Sequence, residues 1–239
     1  HLAALLSDMA SVGETVASMK TLPESGAGHP GNLNIALSGG STPKLLFRIM
    51  VEKYRNTDWS RLNFFWVDER MVPQKDEESN YGEFYRILVD GGVIPETSLF
   101  PIRYDEDERL SLSETDAIIR EIVPFVDGFP RFDLIVLGIG EDGHTASIFP
   151  GNLQLFDTEE IVSTAIHPQS GQHRITLTGS TINNAGQVIF LCTGAGKRDI
   201  LNEVIRKKNP ALPATHVDPV GELFFFLDEA AAVTLFSII

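Results

Sequence analysis

Strand-like and helix-like stretches alternate along the chain. Asn34–Ser38, Leu62–Val67 and Phe132–Leu137 are short apolar runs, each followed by turn residues, and Ile161–Ala165, Arg174–Thr178, Val188–Thr193 and Leu223–Leu227 extend the series. Their apolarity is continuous rather than alternating, the pattern of strands covered on both faces. Between them, Leu2–Met19, Thr42–Tyr54, Tyr81–Leu88, Ser113–Val123 and Lys197–Lys207 read as helices. Strands interleaved with helices predict βαβ units with right-handed crossovers, hence an α/β fold: a mostly parallel sheet with helices on both faces. Pro23–Asn32 reads as a Gly- and Pro-rich loop, and Gln74–Ser79 as a polar, acidic loop able to lie over a cleft. No repeat, low-complexity tract or linker interrupts the pattern, so residues 1–239 are expected to form one domain.

In open α/β sheets ligands bind beyond the carboxyl ends of the strands. Three such places carry unusual chemistry. The first is Ser38-Gly39-Gly40-Ser41-Thr42-Pro43. Gly39 and Gly40 allow a ligand close to the backbone, Ser41 and Thr42 add hydroxyls, and the free N–H groups of a helix start favour phosphate. Thr42 is expected to cap the helix, with Pro43 at its first position. A plain strand-to-helix turn would use the same residues. The second is Trp66-Val67-Asp68-Glu69-Arg70, where charges follow an apolar strand abruptly. Arg70 can bind an oxyanion, with Asp68 or Glu69 holding its guanidinium; a salt-bridged strand end is the alternative.

The third place is Gly138-Ile139-Gly140-Glu141-Asp142-Gly143-His144. Gly138, Gly140 and Gly143 match a dinucleotide fingerprint formally, but Pro150-Gly151 follows too soon to leave room for the long helix of that unit. The acidic residues at about the right distance, Glu159 and Glu160, precede a strand instead of ending one. What remains is a glycine-rich turn presenting Asp142 and His144. Neutral imidazole can take a proton from water near pH 7, and a nearby carboxylate stabilises the cation that forms. Lys197, in Gly194-Ala195-Gly196-Lys197, and Arg174, before the strand Ile175–Thr178, are candidate cations. The lysine turn is not a P-loop, because Leu191 stands where that motif's first glycine would fall and Arg198 replaces its Ser/Thr. His29, His167, His173 and His216 lack metal-ligand spacing, so no metal is expected.

Composition narrows the ligand. With 33 acidic and 19 basic residues the formal net charge is -14, which argues against a nucleic-acid or anionic-membrane surface. The same field repels phosphorylated substrates, so a phosphate site needs a few cations converging locally. The single cysteine, Cys192, lies in an apolar run, excludes an intrachain disulfide and fits a reducing cytoplasm as a buried thiol. No apolar run approaches the ~20 residues of a membrane span. No signal-peptide pattern is visible, though the chain opens on His1 rather than Met. A monomer is the default expectation.

Taken in order, Ser38–Pro43 (SGGSTP), Trp66–Pro73 (WVDERMVP), Ser79–Gly82 (SNYG), Phe132–Gly151 (FDLIVLGIGEDGHTASIFPG), Arg174–Thr178 (RITLT), Val188–Lys197 (VIFLCTGAGK) and Phe224–Ala232 (FFFLDEAAA) resemble the 6-phosphogluconolactonase family. The resemblance implies the Rossmann-like three-layer α/β architecture shared with glucosamine-6-phosphate isomerases. It implies hydrolysis of 6-phosphoglucono-1,5-lactone, a sugar-phosphate lactone of the oxidative pentose phosphate pathway, to 6-phosphogluconate without organic cofactor or catalytic metal. Carried over, His144 becomes the base activating water, with Asp142 beside it. Arg70, the Ser38–Thr42 turn and Lys197 become contacts for phosphate or oxyanion. The related deaminases also carry a GxGxDGH turn, but theirs continues into Ile-Ala-Phe-Asn, and an Asp-Glu-Tyr stands where Arg70 ends the triplet here. Thr145-Ala146-Ser147 and Arg70 favour the lactonase. A third reading, a non-catalytic sugar-phosphate sensor, is disfavoured by the intact Asp142/His144 pair. The stretch Ala211–Val217 departs from the family pattern, leaving Thr215 and His216 without a role, and is expected to lie far from the base.

Overall fold

The computed structural model describes residues 2–11 and 32–236; the Gly/Pro loop before Asn32, His29 and the second half of the first predicted helix lie outside them. In chain order the first elements are α1 (Leu2–Ser11), β1 (Leu33–Leu37), α2 (Ser41–Lys53), β2 (Leu62–Trp66), β3 (Asp68–Arg70), α3 (Asn80–Phe84), β4 (Leu99–Phe100), α4 (Glu108–Ile122), β5 (Phe125–Val126) and β6 (Phe129–Pro130). The rest are β7 (Leu134–Leu137), β8 (Val162–Ile166), β9 (His173–Leu177), α5 (Gly179–Asn183), β10 (Gln187–Cys192), α6 (Arg198–Leu201), β11 (Glu222–Leu227) and α7 (Glu229–Phe236).

Six strands form one parallel sheet in the order β11-β10-β7-β1-β2-β4. Every residue of β2 and β7 is buried, as are four of the five in β1. Successive side chains point to opposite faces, so the middle of the sheet, though not the exposed or half-buried edge strand β11, is covered on both. That is why these strands read as unbroken apolar runs. From β1 the chain winds outward through β2 and β4, then returns to place β7, β10 and β11 on the other side. The order therefore reverses between β1 and β7, whose carboxyl ends flank the crevice where doubly wound sheets bind ligands.

Two strands expected in the parallel sheet are elsewhere. β8 and β9 pair antiparallel with each other, and β9 pairs antiparallel with β3. Only six residues, 167–172, connect β8 to β9, too few for a crossover, so the chain folds straight back as a hairpin. The polar triplet Asp68-Glu69-Arg70 carries no apolar signal; it becomes a strand because β9 supplies its partner. Helix α4 starts five residues before its predicted beginning, where the Asp107 carboxylate accepts the Arg109 N–H at 3.1 Å. The predicted helices Tyr81–Leu88 and Lys197–Lys207 are helical but composite: α3 continues through a π turn over Tyr85–Val89, and α6 follows a 3-10 turn and runs into a π turn over Asn202–Arg206.

At the amino-terminal edge of the sheet a buried polar chain ties three strands together. Asp133 accepts the Asn34 N–H at 2.7 Å, the Asn34 side chain accepts from Asn63 at 2.9 Å, and Asn63 accepts from Asn32 at 3.1 Å. Burial pushes the Asp133 carboxyl up to about 6, against the pull of the Asn34 N–H.

Candidate active site

The glycine turn after β7 closes on itself through Gly143 N–H to Gly140 O at 3.1 Å and Gly140 N–H to His144 O at 2.8 Å. This folds the Asp142 and His144 side chains together: Asp142 Oδ1 stands 2.5 Å from His144 Nδ1 and also accepts the His144 N–H at 3.1 Å. Burial raises the Asp142 carboxyl, but the His144 N–H, the charge of its ring and the ring hydrogen bond outweigh it and hold the group below its ordinary value. An ionised carboxylate only accepts, so Nδ1 carries a proton in either charge state, and in the neutral ring Nε2 bears the lone pair. The imidazole is 28% exposed, not sealed in the core. Gly140 is required by contact: a Cβ there would lie 2.1 Å from His144 Nδ1 and 2.7 Å from Asp142 Oδ1.

Beyond His144 the chain passes through Ala146 at φ 52, a left-handed conformation unusual for alanine. The kink aims Ser147 at β3, where its hydroxyl donates to Asp68 at 2.6 Å. Asp68 also pairs with Arg174 at 3.6 Å, both side chains being largely buried. Arg174 sits directly opposite Arg70 in the β3–β9 register. Burial lowers Arg174 from the usual guanidinium range, Asp68 opposes that shift and the facing Arg70 adds to it. Two like charges placed across a ladder are unfavourable unless something negative lies between them. The Nε–H groups of both arginines are buried without a hydrogen-bond partner among the described residues.

This arrangement corrects one expectation. Neither carboxylate holds the Arg70 guanidinium. Asp68 serves Arg174, and Glu69 accepts the N–H groups of Arg70, Asn80 and Tyr81 and the Ser79 hydroxyl at 2.8–3.0 Å. Glu69 is thus a buried clamp on the start of α3, its carboxyl raised by burial and pulled back by those donors. Arg70 instead donates to Glu78 O at 2.6 Å, and Gln172 bridges Glu78 (3.2 Å) to Arg174 (3.1 Å). The polar loop over residues 74–79 is therefore tied to both arginines.

The turn after β1 meets the site from the other side. Gly40, not Thr42, is the N-cap residue of α2, no side chain caps the helix, and Pro43 falls at the third helical position. The Thr42 hydroxyl pairs with that of Thr193, 3.0 Å away at the end of β10. Ser41 begins the helix and is exposed, as is Gly40. Gly39 is forced by packing: a Cβ there would lie 1.8 Å from Asn80 Oδ1, and Asn80 donates to Asp68 O at 3.0 Å. Lys197 reaches across to the turn that carries His144 and donates to Ile139 O at 2.7 Å. The β10 turn that presents it is held by Asp228, whose carboxylate accepts the Gly194 N–H at 3.0 Å. Cys192 beneath it is buried, its thiol pushed up to about 11 by that burial despite the nearby Lys197 charge.

Gly39, Gly40, Ser41, Thr42, Asp68, Arg70, Asp142, His144, Arg174 and Lys197 therefore all lie at the carboxyl edge, on turns, the start of α2 and the β3–β9 ladder, linked by these contacts. A second expectation fails here: the Ala211–Val217 stretch is not remote from His144. Ala214 N–H donates to Gly143 O at 3.0 Å and Leu212 packs against Gly143, so this segment buttresses the imidazole turn. The His216 ring donates to Pro210 O at 2.7 Å and closes its own loop. Sequence reasoning missed Ser147, Asn80, Thr193, Gln172 and Asp228, whose roles depend on partners far away in the chain. Among the described residues no cluster of three or more His, Cys, Asp or Glu side chains could share a metal ion, and no helix is long and apolar enough to cross a membrane.

Fold and site together define a class: a doubly wound α/β protein with an imidazole–carboxylate pair and several cationic side chains at the sheet's switch point. The model of the family of glucosamine-6-phosphate isomerases and 6-phosphogluconolactonases matches residues 9–225, and the chain belongs to that family. It is 40% identical to the 6-phosphogluconolactonase of Haemophilus influenzae over 208 residues, covering 85% of this chain and 87% of that one. Identity to the human 6-phosphogluconolactonase is 36%, covering 86% and 82%. A solved 6-phosphogluconolactonase structure from Trypanosoma brucei superposes with a TM-score of 0.76 at 30% identity, over 85% of this chain and 86% of that one.

Proposed function

We propose that this protein is a lactone hydrolase of the pentose phosphate pathway that converts 6-phosphoglucono-1,5-lactone to 6-phosphogluconate in the cytoplasm, with His144 as general base. The observation that carries the reading is the partly exposed Asp142–His144 pair, 2.5 Å apart, beside a cluster of cations in a strongly acidic chain.

A lactone is an activated ester, so one water, one base and stabilisation of the oxyanion suffice. His144 Nε2 takes a proton from water as its oxygen attacks the lactone carbonyl. Asp142 holds the ring in the correct tautomer and stabilises the imidazolium. The tetrahedral oxyanion then collapses, the bond to the ring oxygen breaks, and the imidazolium returns its proton to that oxygen. Base catalysis of this kind contributes ~10²–10⁴-fold, and a positioned oxyanion donor a comparable factor. Arg70, Arg174, Lys197 and the Gly39–Thr42 turn hold the phosphate, and remote binding thereby orients the carbonyl against the water. Asp68 orients Arg174.

The test is a coupled assay on freshly generated 6-phosphogluconolactone, corrected for spontaneous hydrolysis. Rapid enzyme-dependent formation of 6-phosphogluconate is expected. A rate no greater than the spontaneous one, or ammonia release from glucosamine 6-phosphate, would overturn the reading.

A further inference from the structure

His167 stands at the start of the β8–β9 hairpin turn, which is closed by His167 N–H to Gln172 O and Gly171 N–H to His167 O, both 2.9 Å. Its Nδ1 accepts two backbone N–H groups, from Gln169 at 3.3 Å and Ser170 at 3.2 Å. A nitrogen that accepts carries no proton, so the ring is the neutral tautomer with its proton on Nε2. The ring packs edge-on against Phe149 at 5.1 Å between centroids and 74° between planes. Phe149 is itself buried, with the His144 ring at 4.9 Å and the Arg174 guanidinium at 5.9 Å. One buried aromatic ring therefore carries His144, His167 and Arg174 around it.

We infer that His167 lines the same pocket and donates its Nε2–H to an oxygen of the substrate's phosphoryl group, as a further donor beside Arg70 and Arg174. The choice of an anionic oxygen follows from its neighbours. Arg70 and Arg174 face each other across β3 and β9, each with a buried Nε–H unpartnered among the described residues, and Arg174 is only 9% exposed. Buried donors of this kind are rare unless an ordered water, an ion or a ligand satisfies them. Partial burial and the charges of Arg174, His144 and Arg70, opposed by Asp142, hold the His167 imidazole below its ordinary value, so these four groups share its surroundings. The neutral ring offers a donor without adding a third positive charge. The hairpin fixes its direction in advance, so little side-chain freedom is lost on binding.

The identity of the ligand rests on the lactonase reading; the anion-binding role does not. Two variants separate the hydrogen bond from the packing. His167→Phe keeps an aromatic ring against Phe149 and removes the donor, whereas His167→Gln keeps a donor. Hydrogen bonds to charged groups are strong enough that KM for 6-phosphogluconolactone and Kd for 6-phosphogluconate should rise about tenfold or more in His167→Phe, with kcat within about twofold. His167→Gln should recover part of the loss, and turnover of unphosphorylated gluconolactone should be unaffected by either change. Titration with inorganic phosphate alone, followed by calorimetry, should show the same weakening and needs no turnover, so it decides the inference even where the lactonase reading fails. Wild-type affinity for phosphate and 6-phosphogluconate in a folded His167→Phe protein, or equal losses with phosphorylated and unphosphorylated ligands, would overturn it.

Discussion

The two edges of the parallel sheet are both rich in buried polar groups, and they differ in how those groups are satisfied. At the amino edge, Asp133, Asn34, Asn63 and Asn32 hydrogen-bond one another in a closed chain. At the carboxyl edge, Arg70 and Arg174 face each other with unpartnered Nε–H groups, and His144 keeps a free nitrogen in a partly exposed ring. Polarity and burial alone would rank the two clusters alike. What separates them is that one completes its own hydrogen bonds and the other, among the described residues, leaves buried donors without acceptors. The first should therefore govern stability and the second activity, and substitutions in each should leave the other property untouched.

The sharpest break in that comparison is at the imidazole. His144→Ala should lower kcat by two or more orders of magnitude with an unchanged melting temperature, read by the lactonase assay beside a thermal melt. Near-normal turnover would remove His144 as the base. Asp142→Asn comes next, with an expected loss of ~10–10² in kcat, because the amide no longer stabilises the imidazolium or enforces the Nδ1–H tautomer. A rate equal to wild type across pH 6–8 would show that the carboxylate does not act on the ring.

Lys197→Ala should act on binding: about a tenfold weaker Kd for 6-phosphogluconate, measured by calorimetry, with a smaller effect on kcat. Unchanged affinity would place Lys197 outside the phosphate site and leave its bond to Ile139 O as its whole role.

The smallest effect belongs to the amino edge and is one of stability. Burial raises Asp133 to about 6 in the folded chain from an ordinary value near 3.8. Between those values the folded state holds a proton that the unfolded state has released, so this group's contribution falls as pH rises from about 4 to 6. Asp133→Asn removes the cost of ionising there and keeps an acceptor for the Asn34 N–H. It should stabilise the protein by about 1 kcal/mol at pH 7, less than the full two-unit shift implies, because an amide oxygen accepts more weakly than a carboxylate. Chemical denaturation at pH 4, 6 and 7 measures this. A variant that loses stability at pH 7, or one with altered kcat, would contradict the division between the edges.

The sequence was most legible where a residue's surroundings are set by its chain neighbours. Continuous apolar runs marked β1, β2, β7 and β10 because a strand covered on both faces has no polar positions to show. Asp142 and His144 could be paired because only Gly143 separates them, in a glycine-rich turn. Arg174 and Arg70 could be named as cations, but their facing positions could not, since they are 104 positions apart in the chain and only the β3–β9 ladder brings them together. Long separation in sequence also hid the Asp68–Arg174 pair and the support that Ala214 gives to Gly143, whereas the clamp made by Glu69 spans only 10 to 12 residues and was hidden because the loop between carries no periodic signal.

Taken alone, then, the amino-acid order determined the α/β class, five of the six strands of the central sheet and the imidazole turn, all of which follow from periodicity and short-range geometry; β4, only two residues long, carried no such signal. Tertiary structure alone decided that β3, β8 and β9 form a separate antiparallel sheet, which carboxylate serves which arginine, and where His167 points. The physical reason is that hydrogen-bond partners and opposing charges are chosen by distance in space, and the chain records only distance along itself.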